Sequence, residues 1–144
     1  MLYGGIEVDG EIFQYHAGSD DEHCSGIPTM KRIFRTAQRV DGFVSANFCS
    51  QGGRLTTPVV STEGNELMLN VDAGSGIGNL VILDEVGNSV EGFGLDDCDD
   101  ISVDKVSHKV RWGGKSPREI LGTPVSLQFE MRNVRLFAFQ LSEE

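Results

Sequence analysis

One glycine-rich segment, residues 65–97, constrains the fold most strongly because it divides into short runs of regular polarity. In Glu66–Asp72 every second residue is apolar, which is the pattern of a β-strand with one buried and one solvated face. Residues 74–78 supply glycines that tolerate a chain reversal, and residues 80–83 are apolar on both faces, which predicts a central strand. A second reversal at 85–88 follows. The segment therefore predicts three strands joined by two hairpins.

Much of the remaining chain shows the same two-residue period. Asp9 and Gly10 separate two such runs and form a favoured two-residue hairpin turn. Pro58 cannot donate a ladder hydrogen bond, so it predicts a strand end or an edge strand. A later run places four residues on one parity: Val106, His108, Val110 and Trp112. That alternation favours a core position for Trp112.

Helix signals are confined to residues 116–122. A serine cap, a proline at the first helical position and a closing glycine predict at most one short helical turn near 117–121. With 18 glycines and no long helical periodicity, the chain is predicted to be all-β, an antiparallel two-sheet β-sandwich of jelly-roll-like character. The length of 144 residues suits a single domain, 1–144. Within it we expect an N-terminal hairpin over 1–23, a polar surface loop over 16–31 and a sandwich core over 32–141.

The charge balance disfavours several kinds of partner. Twelve lysines and arginines against 22 acidic residues give a formal net charge of −10. Non-specific binding to nucleic acid or to an anionic membrane requires clustered positive charge, so neither is expected, whereas a neutral partner such as a sugar is compatible. The chain has no apolar run of about 20 residues and starts without the features of a secretion signal, so a cytoplasmic location is expected. Three cysteines without a C-x-x-C pair predict free thiols.

Two groups of residues are candidate sites. Residues 91–104 contain acidic side chains without an intervening base, including Asp96, Asp97, Asp99 and Asp100. Carboxylate oxygens suit calcium, but the spacing of a calcium-binding loop is missing, so a solvated loop is favoured and no other cofactor is expected. The second group is a candidate polar ligand pocket near the tip of the first hairpin, formed by Tyr15, His16, Asp20 and His23.

For the second group too, a solvated loop is the favoured interpretation. A zinc site that combines the two histidines with Cys24 lacks a fourth ligand. The aromatic rings of Tyr3, Tyr15 and Trp112 are candidate platforms for stacking sugars. For Trp112 the alternation favours core packing instead.

Several ordered segments resemble a known family. They read R-V-D-G-F-V-S-A at 39–46, L-x-L-N-V-D at 67–72, V-E-G-F-G-L-D-D-C-D at 90–99, V-R-W at 110–112, and G-T-P-V-S-L-Q-F-E-M-R-N-V-R-L-F-A-F-Q at 122–140. Together they resemble the C-terminal β-sandwich of bacterial proteins related to the invertase-like, five-bladed-propeller glycoside hydrolases. Residues 1–23, which include the run Y-G-G-I-E-V-D-G-E-I-F-Q-Y-H-A-G-S, resemble the last propeller hairpin before that sandwich.

The catalytic motifs of those hydrolases are absent from this sequence. There is no N-D-P-N-like nucleophile motif, no R-D-P motif and no E-C-like acid/base motif. Glycoside hydrolysis requires two carboxylates that flank the scissile bond, so glycosidase activity is not expected and the chain is predicted not to be an enzyme. An enzyme with an unrecognised site, built from the acidic loop and the two N-terminal histidines, is the least favoured alternative. The resemblance implies a non-catalytic, carbohydrate-associated module, either sugar-binding or concerned with assembly. The alternative is a structural or self-association domain that forms a homo-oligomer through the edge of its N-terminal hairpin.

Overall fold

The computed structural model describes residues 5–19, 31–61, 64–120 and 122–143. Its strands are β1 (Gly5–Val8), β2 (Glu11–Ser19), β3 (Lys31–Arg39), β4 (Ala46–Phe48), β5 (Gly53–Thr56), β6 (Val60–Ser61), β7 (Glu66–Asp72), β8 (Ile77–Leu83), β9 (Asp104–Lys109), β10 (Pro124–Arg132) and β11 (Val134–Ser142). One 3₁₀ helix, Pro117–Ile120, matches the predicted helical turn. No helix within these ranges is long and apolar enough to cross a membrane. The all-β prediction is confirmed, and the strand pairings are antiparallel.

The chain forms two compact units, Met1–Phe43 and Val44–Glu144. The first contains a three-stranded sheet in the order β1-β2-β3. Its first turn has φ of 52° at Asp9 and 80° at Gly10, so both turn residues have the positive φ that a two-residue hairpin turn favours. The predicted sandwich core began at residue 32, whereas the structure pairs β3 with β2 in the first unit.

The predicted surface loop over 16–31 was wrong at both ends. The last residues of β2 pair with the first residues of β3, including His16 with Phe34 and Ala17 with Ile33. The Phe34 ring lies over Gly18, where a Cβ atom would be only 2.8 Å from the ring, so glycine makes this close packing feasible. The local polar composition suggested a loop, but cross-strand packing of this kind overrides composition.

The second unit is a sandwich of two four-stranded sheets around one core. In one sheet, which we call the β10 sheet, β8 pairs with β10, and β5 and β6 pair with successive parts of β10 on either side of Pro58, as that proline predicted. The other sheet, the β7 sheet, has the order β4-β11-β7-β9. Both sheets contribute to the core, whose largest fully buried side chains include Trp112, Phe93, Phe129, Leu67, Leu69 and Leu80. The face-to-face packing of apolar sheet faces is what excludes water from this unit.

One of the two predicted hairpins is wrong. β7 pairs with β9 and β11, whereas β8 pairs with β10, so the connection at 73–76 crosses between the two sheets. The chain crosses again at Asn133, which has φ of 53°. The two crossings touch, because a Cβ atom on Gly76 would lie 2.1 Å from the Arg132 carbonyl oxygen. A two-residue period shows which face of a strand is buried but does not identify the neighbouring strand.

The second predicted reversal is confirmed. Asp84 N–H donates to the Asn88 carbonyl at 2.8 Å, and Leu83 forms a bridge with Ser89. The Asp84 side chain also accepts the Asn88 N–H at 2.8 Å. This charge-assisted bond, the first cause of the shift, lowers the pKa of Asp84. After the turn the chain does not form a regular strand, since this part contains only isolated bridges.

The irregular segment 89–101 covers the edge of β8. Gly78 and Ile101 exchange two backbone hydrogen bonds of 2.9 Å. Leu80 N–H donates to Cys98 Sγ at 3.3 Å, and the Leu80 carbonyl accepts the indole N–H of Trp112 at 2.9 Å. β8 was predicted to be a central strand, but it is the outermost strand of the β10 sheet, and this segment satisfies backbone groups that a further strand would otherwise bind.

Candidate functional site

Of the four residues of the predicted ligand pocket, the structure describes Tyr15 and His16. Tyr15 and His16 are consecutive on β2, so their side chains project from opposite faces of the sheet. Tyr15 is exposed, and His16 Nε2 lies 2.9 Å from Thr36 Oγ1. Asp20 and His23 lie outside the described residues. The described part of this group therefore forms no shared pocket between Tyr15 and His16.

Trp112 is a core residue, as its parity predicted. Its side chain is 1% exposed, and its ring meets Phe93 edge-on with 5.4 Å between the ring centroids. A ring in that position is inaccessible to a sugar. The candidate sugar-stacking residue Tyr3 and the candidate zinc ligand Cys24 lie outside the described ranges.

The aspartates of the candidate calcium loop are all exposed: Asp96, Asp97, Asp99 and Asp100. Asp97 Oδ2 accepts the Gly94 N–H at 3.0 Å, and Asp100 Oδ1 accepts the Asn79 amide at 2.9 Å. Across the described ranges, no group of three or more histidine, cysteine, aspartate or glutamate side chains is arranged to hold a metal ion. At least two of these carboxylates thus hold the segment that covers β8.

A row of polar side chains crosses the outer face of the β10 sheet. Glu130 on β10 pairs with Arg54 on β5 and with Asn79 on β8, so the three side chains stand side by side. On β10 the residues on either side of Glu130 are Phe129 and Met131, and their side chains point the other way, into the core. Alternation along β10 therefore gives this sheet one apolar face and one polar face.

Hydrogen bonds fix the polar row in place. Glu130 Oε1 accepts Arg54 Nε–H at 2.8 Å and the Gln128 amide at 3.2 Å. Gln128 Oε1 in turn lies 3.4 Å from Thr56 Oγ1. The Asn79 amide binds Asp100, as described above. Because each member is held by a neighbour, the row presents its remaining polar atoms in a defined arrangement.

Two adjoining depressions lie along this row, with volumes of about 460 Å³ and about 350 Å³. Both are lined by Asn79 and Glu130. The larger extends to Ile77 and Arg54, and the smaller extends to Leu95 in the segment that covers β8. We call the two depressions together the outer groove. Both are open to solvent rather than enclosed, and their volumes fall in the lower part of the range of small-ligand sites.

A partly buried ion pair lies elsewhere, on the outer face of the β7 sheet. Glu66 Oε1 accepts Arg111 Nη2–H at 3.0 Å, Arg111 Nη1 binds Oε2, and Lys109 Nζ lies 3.6 Å from Oε1. The hydrogen bonds from Arg111 are the main reason that the pKa of Glu66 is lowered. Glu66 is 8% exposed, so the face of β7 that was predicted to be solvated is covered at this point.

His108 stands on β9, where it pairs with Leu69 of the buried face of β7. Burial removes water from the half-buried imidazole and is the main cause of its lowered pKa, with the charge of Lys105 second. His108 is thus half-buried, and it does not belong to the fully buried core that Trp112 occupies.

The polar row of Arg54, Glu130 and Asn79 was not identified from the sequence, although Asp96 and Asp100 of the candidate calcium loop line the smaller depression. The alternation of residues 125–131 placed Glu130 on the polar face of a strand, and that signal was available. The partners Arg54 and Asn79 lie 76 and 51 positions away from it, and only the strand register brings them together.

Comparisons with known proteins add no functional assignment, because no family model, curated protein or solved structure matches this chain. A functional interpretation therefore depends on the chemistry of the faces described above.

Proposed function

We propose that this chain is a non-catalytic, carbohydrate-associated module that binds a neutral sugar in the outer groove. The observation that supports it is the row of Arg54, Glu130 and Asn79 across three paired strands. Sugars present adjacent hydroxyl groups that both donate and accept hydrogen bonds. Guanidinium, carboxylate and amide groups side by side supply matching donors and acceptors.

The fixed geometry of the row favours binding. Glu130 is held by Arg54 and Gln128, so few side-chain rotations have to be frozen when a ligand arrives. Ile77 and Leu95 line the depressions and offer apolar contact to the C–H groups of a sugar ring. No aromatic side chain is among the described residues that line the groove, so stacking does not add to affinity. We expect a Kd of about 1 mM, equivalent to about −4 kcal/mol.

The carboxylates of the groove suit binding better than hydrolysis. Glu130 is ion-paired with Arg54, and Asp100 accepts a hydrogen bond from Asn79. General acid–base catalysis needs a carboxyl group that can reach the scissile bond, whereas both of these are already engaged by donors of the protein. The net charge of −10 further favours neutral over acidic glycans.

Titration with neutral mono- and disaccharides, followed by two-dimensional NMR, tests the proposal. At sugar concentrations of about 10 mM, well above the expected Kd, resonances of β5, β8 and β10 should shift. Asn79→Ala should weaken binding about tenfold, because it removes a central donor and acceptor. Gln140→Ala, an exposed change on β11 in the other sheet, serves as the matched control and should leave binding intact. Absence of shifts with every sugar tested, or equal loss in both variants, would refute the proposal.

A further inference from the structure

The sheet of the first unit ends in two exposed edge strands. All four residues of β1 are exposed, as are residues 32–37 of β3. Within the described residues, β1 and β3 each pair with β2 alone. An edge strand offers unpaired N–H and C=O groups on its outer side, which is a template for pairing with another strand. In the second unit, by contrast, the segment 89–101 covers the outer edge of β8.

The two edges carry opposite charge. β3 contains three arginines and no acidic residue, in a chain of net charge −10. β1 contains Glu7 and no basic residue, and Asp9 follows it in the turn. Pairing of two β3 strands would bring arginines together, and pairing of two β1 strands would bring two Glu7 side chains together. Like charges on neighbouring strands are unfavourable, so β1 against β3 is the favoured combination.

We infer that a second copy of this chain extends the sheet of the first unit, with β1 of one copy pairing to β3 of the next. One register keeps the faces of the two sheets continuous and places Glu7 opposite Arg32, because both side chains belong to the face that also carries His16 and Thr36.

The same register buries apolar surface. Ile6 is 59% exposed and Ile33 is 80% exposed, and both lie on the opposite face of the sheet, with Val8. With Glu7 opposite Arg32, Ile33 of one copy lies beside Ile6 or Val8 of its neighbour, depending on the direction of the added strand. Three contributions thus coincide: backbone hydrogen bonds, an ion pair and contact between aliphatic side chains.

The contact is heterologous, since it joins two different edges. Such contacts generate rings when the rotation closes and open chains when it does not, so the assembly is not restricted to dimers. A single strand pairing covers less than about 1,200 Å², which is typical of weak, transient complexes. Association should therefore depend on protein concentration and weaken as salt screens the ion pair.

Sedimentation of the full chain at rising concentration measures the association. Exchange of the charges at positions 7 and 32 tests whether β1 of one copy pairs with β3 of the next. Glu7→Arg and Arg32→Glu should each reduce association at least tenfold when measured alone. A one-to-one mixture of the two variants should restore association with the two chains alternating, because Glu7 of the Arg32→Glu chain faces Arg32 of the Glu7→Arg chain and the introduced arginine faces the introduced glutamate. Far-ultraviolet circular dichroism confirms that each variant retains its strand content. Purely monomeric wild-type protein, or a mixture that does not associate, would overturn the inference.

A second pair of variants tests the aliphatic contact independently of the ion pair. Ile33→Glu places a charge in the middle of the inferred contact and should abolish association. Val86→Glu introduces the same charge at a site that is 84% exposed in a turn of the second unit, so it should leave association unchanged. Association that survives Ile33→Glu, or that is lost equally in both variants, would also overturn the inference.

Discussion

The indole of Trp112 should contribute to stability both by filling space and by binding the edge of β8. Its Nε1–H donates to the Leu80 carbonyl at 2.9 Å in a fully buried position. Trp112→Phe leaves that carbonyl without its indole donor, which costs about 1–3 kcal/mol. The smaller ring also leaves roughly 40 Å³ empty, worth about 1 kcal/mol at about 24 cal/mol per Å³. The free energy of unfolding should therefore fall by about 2–4 kcal/mol.

Urea denaturation followed by circular dichroism measures this change. Tryptophan fluorescence does not serve here, because the variant lacks the only tryptophan of the chain. Phe129→Leu is the matched control: Phe129 is equally buried, and its replacement removes volume without removing a hydrogen-bond donor. The control should cost about 1 kcal/mol. If Trp112→Phe destabilises the protein no more than Phe129→Leu does, the hydrogen bond to the edge of β8 carries no net stability and the reasoning fails.

The ion pair, the thiols and the acidic segment give three further predictions. Glu66→Gln should lower the free energy of unfolding at pH 7 by about 1–3 kcal/mol, because Arg111 loses its charged partner. Since the pKa of Glu66 is lowered from 4.5, the difference between wild type and variant should persist above pH 4.5 and shrink as the pH falls below it, which acid-series denaturation measures. Labelling with iodoacetamide, followed by peptide mass spectrometry, should be rapid at the exposed Cys49 and slow at Cys98, because burial raises the pKa of the Cys98 thiol to about 11. Equal labelling rates of the two thiols in the folded protein would contradict this. Calcium should leave the melting temperature unchanged, because the Asp97 carboxylate already accepts a backbone N–H; a rise that Asp97→Asn removes would instead establish a calcium site.

Local signals in the sequence predicted local structure well. The first hairpin turn, the 3₁₀ helix and the buried position of Trp112 each depend on residues close together in the chain, and each was confirmed. Strand neighbours could not be predicted in the same way. The glycines around Gly76 indicated a reversal, but a chain crossing between sheets needs the same backbone freedom as a hairpin. The outer groove depends on the distant pair Arg54 and Glu130, which no local period reveals.

The segment that covers the edge of β8 also affects the tendency of this protein to aggregate. β8 reads Ile-Gly-Asn-Leu-Val-Ile-Leu, an uncharged seven-residue segment without proline, of the kind that nucleates cross-β aggregates. Opening of the segment 89–101 would expose the outer edge of this strand. The aspartates within that segment would remain nearby as repelling charges, the gatekeeper role that acidic residues play beside sticky strands. Mutations that neutralise them are therefore expected to raise aggregation during refolding more than they alter equilibrium stability.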